Sequence, residues 1–427
     1  MDKDEYSVYL PAVNTQYADA LATPVPEHRP FPATLSLEDL MFWDSDNKYW
    51  HQPYYLHSVG QYKIGSTPDN AVTRRSKSDG VLFGDSGGFQ IGKGSLTGFN
   101  ALYAGMTAEQ ACFEWRNAIE VRKWIVGWLE THCNYAMTID MPLWATLDHA
   151  KDSPFHNCSL EQLTQLTVEN LQFIDKHRQG NTKWLNVIQG SNIEAIRGWW
   201  NAVKWFNGDG YALSSSAGRI SGLGAVLEPL LMMRDDDAFK NGRDWIHMLG
   251  VSTASWAIIF TAMQKALRTT VNPNLRISFD SASPFQDAGI REQYINVPKF
   301  GSDKSSWVFE KEQFPHARKH LGSSEPLPFS SPIADLLTLG HLNFRDEHGK
   351  YTVRQVDTLS LVLVANHNIW IMLEAFKQAN DLVFASNRSQ VPAVFSECVD
   401  MIEHVFTVEN WADELKKNEA LLAGFKG

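Results

Sequence analysis

Paired cysteines are missing from this chain. Cys112, Cys133, Cys158 and Cys398 are scattered and form no CxxC pair. That argues against a disulfide framework or a cysteine-built metal site and leaves buried free thiols as the simplest reading. No run of about 18 apolar residues occurs; the nearest approach, Leu359 to Leu373, is broken by Asn366-His367-Asn368. The opening Met1-Asp2-Lys3-Asp4-Glu5 lacks the basic-then-apolar pattern of a secretory signal. These absences point to the cytoplasm and to no membrane partner. Positive charge is also scarce, with 38 Lys and Arg against 49 Asp and Glu and a net charge of -11. An acidic average argues mildly against a nucleic-acid partner, although binding needs only a local basic face. Two local clusters exist, Arg74-Arg75-Ser76-Lys77 and His316-Ala317-Arg318-Lys319-His320, and either also reads as ordinary solvated surface. There is no GxGxxG fingerprint, no internal repeat and no low-complexity segment.

What is present is a globular composition, 44% hydrophobic and 20% charged over 427 residues, a length that suits one barrel with insertions. The central stretch is Val81-Leu82-Phe83-Gly84-Asp85-Ser86-Gly87-Gly88-Phe89-Gln90, an apolar run that stops at a carboxylate, a hydroxyl and two glycines. A buried strand ending in an active-site loop has this form, and so does a tight turn. Strand patterns follow at Tyr135–Ile139, Trp184–Ile188, Gly210–Leu213, Trp245–Leu249 and Leu275–Phe279, with helix patterns between them. Thr107-Ala108-Glu109-Gln110 and Ser159-Leu160-Glu161-Gln162 match helix capping boxes. Alternation with short connections implies a parallel sheet. An open doubly wound sheet would concentrate its ligand at one switch point, whereas polar residues end at least five of these strands. The expected fold is therefore α/β, a TIM (β/α)8 barrel. Residues 1–60, rich in proline and aromatics, read as an irregular segment packing on that barrel. The barrel spans 61–380, with an insertion at about 287–350, and a helical segment occupies 381–427.

Asp85, Asp140 and Asp280 each end a different strand and could converge on one pocket. Converging carboxylates serve metal binding, glycosyl transfer or a mixture of acid, base and nucleophile. Flanking Phe83 and Phe279 favour one raised pKa, as an acid/base requires. Composition and spacing alone stop at a barrel enzyme using carboxylates.

Asp85-Ser86-Gly87-Gly88-Phe89-Gln90 resembles the DSGGFQ signature of the tRNA-guanine transglycosylases. The resemblance continues in order through Ile139-Asp140, Val187-Ile188-Gln189-Gly190, Gly210-Tyr211-Ala212-Leu213, Leu249-Gly250-Val251, Phe279-Asp280 and His367-Asn368. It covers about residues 80 to 380 and implies a TIM barrel that exchanges guanine in a nucleic acid for a free 7-deazaguanine base. Asp280 would be the nucleophile that captures the sugar and Asp85 the general acid/base. Asp140 and Gln189 would hydrogen-bond the guanine-like edge, and Phe89 and Leu249 would be apolar walls around the base, where the family usually has Met in place of Leu249. Ser86, and Ser214 and Ser215 in place of the family's glycine pair, join the base-binding set.

Departures from the family are informative. Its CxCxxC is absent around Leu327 to Asp335, which leaves His367 without zinc partners, so no metal and no other cofactor are expected. An arginine expected shortly after the nucleophile is replaced near Phe285-Gln286. This pattern resembles the DpdA-type branch that inserts 7-deazaguanines into DNA, with Arg74, Arg75, Lys77 and Lys93 expected on phosphates. Ile220, preceded by Arg219, stands where bacterial tRNA enzymes carry a glutamate for a charged aminomethyl group, which favours 7-cyano-7-deazaguanine (preQ0). Two alternatives remain, action on tRNA and a non-catalytic nucleic-acid-binding subunit; retention of Asp85 and Asp280 speaks against the second. The sequence leaves the oligomeric state open, a homodimer included.

Overall fold

Eight short parallel strands close on themselves in the computed structural model, which describes residues 5–214, 222–351 and 357–425. They are β1 Val8–Val13, β2 Tyr54–Ser58, β3 Val81–Asp85, β4 Tyr135–Met137, β5 Lys183–Ile188, β6 Gly210–Ser214, β7 Trp245–Leu249 and β8 Arg276–Ser281. Neighbours in sequence pair in order, and β1 pairs with β8 to complete the ring. Side chains alternate across a strand, and here the alternation separates two apolar regions. One face carries Leu10, Leu56, Phe83, Met137, Leu185, Val187, Ala212 and Trp245, which fill the barrel interior. The other packs against the surrounding helices in a second, larger cluster.

The N-terminal segment requires a correction. Residues 1–60 are not a separate irregular layer, because they supply β1 and β2, two staves of the barrel. Both strands are buried on both faces and so show no polar–apolar alternation. Pro11, in the middle of β1, further disguises a strand. The stretch between them is largely irregular after helix Thr15–Leu21 and is held by aromatic stacking, Phe42 on Trp50 and Trp43 on Tyr55, with ring centroids 5.3 and 4.7 Å apart.

Helices Ala108–Asn117 and Leu160–His177 begin at the expected capping boxes, with Thr107 and Ser159 each accepting from the backbone N–H three residues on. After β8 the alternation lapses into a short helix, Ser283–Gly289, an antiparallel hairpin of β9 Gln293–Asn296 and β10 Glu310–Gln313, and several single turns. Helix Thr358–Val383 then fills the last place in the outer ring, packed against Thr15–Leu21 on one side and Ala254–Thr270 on the other. It is long and apolar enough to cross a membrane, but its apolar surface is mostly buried within the fold, as in a core helix of a soluble protein. Helices Ala393–Val405, Trp411–Lys417 and Glu419–Ala423 follow it.

Candidate active site

The strand directions put one chemical end on the barrel. In a ring of parallel strands all C-terminal ends share a face, and alternation turns Ser58, Asp85, Ser214, Leu249 and Asp280 toward the axis there, one step above the inner apolar layer. Asp85 is the last residue of β3 and lies in register with Ser58 of β2. Gly87, two residues on, has φ of 86°, and a Cβ at this position would meet the Gly60 Cα at 2.8 Å. Glycine is therefore required where the two loops cross, and it lets the chain turn at once into the helix Gly88–Lys93.

Each carboxylate of the mouth has a different environment. Asp280 is largely buried, with 13% of its side chain exposed, and its Oδ1 accepts the Gly250 N–H at 2.7 Å while His247 Nε2 lies 3.3 Å from the same oxygen. Burial pushes the Asp85 carboxyl above its ordinary range; the Asp280 charge adds to this, while the Ser58 hydroxyl, the Gly87 N–H and His247 oppose it. Asp140, three residues past β4, is pushed up to about 7, first by burial and then by the Asp85 charge, against a hydrogen bond from the Gln189 amide. The three aspartates thus converge closely enough that the Asp280 charge is felt at Asp85 and the Asp85 charge at Asp140.

Gln189 is fully engaged in this clasp. Its Oε1 accepts the Leu143 N–H at 2.9 Å, and its Nε2 donates to Asp140 and to the Met141 carbonyl, the latter at 3.2 Å. The amide therefore orients Asp140 and the loop behind it. Leu249 and Ser214 are in register on neighbouring strands and half-buried at the mouth. Phe89 is 60% exposed on helix Gly88–Lys93, with Trp144 beside it at 5.5 Å between ring centroids. Lys93, at the end of that helix, sits 5.8 Å over the Trp144 ring. Ser86, in contrast, is buried and donates to the Thr138 carbonyl at 3.1 Å, so it ties two loops together and does not face the mouth. Ser215, Arg219 and Ile220 lie outside the described residues.

Three of the four expected phosphate contacts stand at the wrong end of the barrel. Arg75 donates to the His132 carbonyl at 3.0 Å and to Asn134 Oδ1 at 2.9 Å, just before β4 begins. Lys77 donates to the Glu130 and Asn181 carbonyls at 2.8 and 2.9 Å, the latter just before β5. Arg74 pairs with Asp69 in the same region. All three precede β3, whereas Asp85 ends it, so they belong to the N-terminal face; only Lys93 is on the mouth side. His367 Nε2 donates to the Ile295 carbonyl (2.9 Å), its ring packs 4.4 Å from the Phe329 ring, and burial drives its pKa down to about 4. Around it lie rings and a carbonyl, with the Asp335 carboxylate near enough to be felt, which falls short of a zinc ligand set; no group of three His, Cys, Asp or Glu side chains suited to a metal occurs among the described residues.

One mouth residue escaped the sequence reading. His247 is fully buried inside the barrel beneath Asp280. Its signal was the alternation Trp245-x-His247-x-Leu249, which puts a polar ring on the inward face of an otherwise apolar strand.

Fold and site together define a (β/α)8 barrel with three carboxylates at the C-terminal mouth of its strands. No protein-family model matches the chain, and no curated protein is significantly similar to it.

Proposed function

We propose that this protein is a base-exchange transglycosylase acting on DNA, replacing a guanine with a 7-deazaguanine of the preQ0 type. The observation that carries the proposal is the division of roles between Asp280 and Asp85. Asp280 presents a carboxylate with one oxygen engaged by a backbone N–H, suited to nucleophilic attack. Asp85 faces it with a raised proton affinity, suited to acid/base work. A carboxyl with raised proton affinity beside a second carboxyl fits the acid/base member of such a pair.

In this mechanism an Asp280 oxygen attacks the sugar C1′ and the C1′–N9 bond breaks, its electron pair leaving with guanine. Asp85 gives the departing base its proton. The incoming 7-deazaguanine then loses its N9 proton to Asp85, its N9 attacks C1′, and the C1′–Asp280 bond breaks, which restores both carboxyls. Asp140, held by Gln189, hydrogen-bonds the donor edge of the base, and Phe89 and Leu249 flank its faces. The target guanine leaves the stack to reach this recessed mouth, at a cost of a few kcal/mol. A cytoplasmic location agrees with such a reaction.

The test is exchange of labelled guanine, run side by side on DNA and on tRNA, together with denaturing gels for a covalent enzyme–nucleic acid adduct. Exchange and an adduct on DNA are expected for the wild type, with both lost in Asp280→Asn and Asp280→Ala at retained fold. Exchange confined to tRNA would assign the acceptor to tRNA, and turnover by Asp280→Ala would remove the nucleophile.

A further inference from the structure

The buried groups beneath Asp280 form a chain with one direction. Trp245 Nε1 lies 2.8 Å from Ser278 Oγ, Ser278 Oγ lies 2.9 Å from His247 Nδ1, and His247 Nε2 lies 3.3 Å from Asp280 Oδ1. All three side chains are within the barrel, with Ser278 and His247 fully buried. An indole N–H only donates, so Ser278 Oγ must accept from Trp245. The serine hydroxyl keeps its own hydrogen, and among the described residues the acceptor within reach is His247 Nδ1. An Nδ1 that accepts carries no proton, which leaves the imidazole proton on Nε2, facing Asp280. Nε2 makes no aligned hydrogen bond, and Asp280 Oδ1 is the polar atom beside it; a buried polar atom left unsatisfied is costly. Its separation from Oδ1 is a contact awaiting alignment, as catalytic hydrogen bonds often are before substrate binds.

We propose that His247 is a positioning residue, held by Trp245 and Ser278 as the Nε2–H tautomer, that fixes Asp280 Oδ1 together with the Gly250 N–H and so leaves Oδ2 as the oxygen that attacks the sugar. This deepens the transglycosylase reading and rests on it for the identity of the reaction. With two donors on Oδ1, rotation about the carboxylate is blocked and one lone-pair-bearing oxygen is presented to the mouth. As the glycosyl ester forms through Oδ2, Oδ1 becomes its carbonyl oxygen and remains an acceptor for both N–H groups. When the second base displaces Asp280, the same donors receive the returning negative charge.

The tautomer can be read without any turnover, from long-range ¹H–¹⁵N spectra of the imidazole nitrogens in the full-length ¹⁵N-labelled protein, with His247→Gln used to assign the signals. A proton on Nε2, none on Nδ1, and an Nδ1 signal that moves in Ser278→Ala are expected; a proton on Nδ1, or on both nitrogens, overturns the relay. The second arm follows adduct formation on DNA in single turnover. His247→Phe removes the donor and is expected to slow the step roughly 10- to 100-fold, the loss of one hydrogen bond to a charged group, with KM for the base nearly unchanged. His247→Gln places an amide N–H where Nε2 stood and is expected to recover most of the rate. Adduct formation by His247→Phe at the wild-type rate, with or without the spectroscopic result, overturns the positioning role. Absence of any adduct with the wild type on either nucleic acid defeats the transglycosylase reading instead, and the imidazole spectrum still decides the relay.

Discussion

Replacing Asp140 by asparagine is expected to make the protein more stable above neutral pH while leaving it nearly unchanged near pH 4. Burial and the Asp85 charge raise the Asp140 carboxyl from 3.8 to about 7. A raised carboxyl binds its proton more tightly in the folded than in the unfolded chain. Its contribution to stability is therefore complete below about pH 4, falls as pH rises between the two values, and is gone above about pH 7. The full shift corresponds to about 4 kcal/mol; solvent at the partly open mouth screens some of it, so roughly 1–3 kcal/mol is the measurable range. Asparagine keeps an acceptor for the Gln189 amide and carries no charge, so the penalty disappears. Urea unfolding of wild type and Asp140→Asn at intervals from pH 4 to pH 8.5 gives the difference in unfolding free energy directly, with the titration of groups remote from Asp140 cancelling and that of Asp85, which is coupled to it, included in the difference. The variant should gain on the wild type across this window and then level off. A difference that stays constant with pH would show that Asp140 does not titrate under these influences, and the electrostatic description of the mouth would have to be abandoned.

The basic residues give a paired test: Lys93→Ala should lower the slope of log K against log salt for DNA binding by roughly 1, while Lys77→Ala should leave that slope unchanged and lower the melting temperature, because its ammonium ties the N-terminal ends of the strands together. An equal effect of both on the slope would contradict the two-faced arrangement. Elemental analysis of purified protein is expected to find no stoichiometric zinc, and about one zinc per chain would show that His367 has ligands the described residues do not supply. Competition between preQ0 and its aminomethyl counterpart for one DNA substrate should favour preQ0, since the sequence has Ile220 where a counter-charge would be needed and an ammonium buried without one is strongly unfavourable; preference for the aminomethyl base would refute this.

The strands β3 to β8 could be read from the sequence because they alternate with helix patterns, and most are apolar runs closed by a polar residue where the chemistry gathers; β7 ends instead at Leu249-Gly250. β1 and β2 could not, since strands buried on both faces lack alternation and Pro11 counts locally against a strand, a preference that closure of the ring overrides. The three aspartates were legible from strand ends alone. The basic cluster was misread because nearness in sequence was taken for nearness in space: Lys77 and Asp85 are separated by the whole of β3, which at ~3.3 Å per residue spans about 17 Å from one face of the barrel to the other. Ser86 illustrates the finer version of the error, since alternation turns it away from the axis that Asp85 faces. His247 stayed hidden because the alternation around it marks only an inward polar ring, and its meaning depends on Ser278 and Asp280, which only the pairing of β7 with β8 brings beside it.

Closure of the ring between β1 and β8 also bears on how the molecule is made. Leu10 pairs with Asp280, so the strand carrying that aspartate borders the first stave of the barrel to be made and is itself the last to arrive. Until β8 emerges, β1 has an open flank, and such unpaired edges are where partly made sheets associate wrongly. Contacts so distant along the chain are slow to form, and here the slowest one completes the mouth. A chain stalled before β8 would hold Asp85, Asp140 and Gln189 but neither Asp280 nor a closed barrel, so chemical competence should appear late and abruptly in synthesis, in step with the final strand pairing.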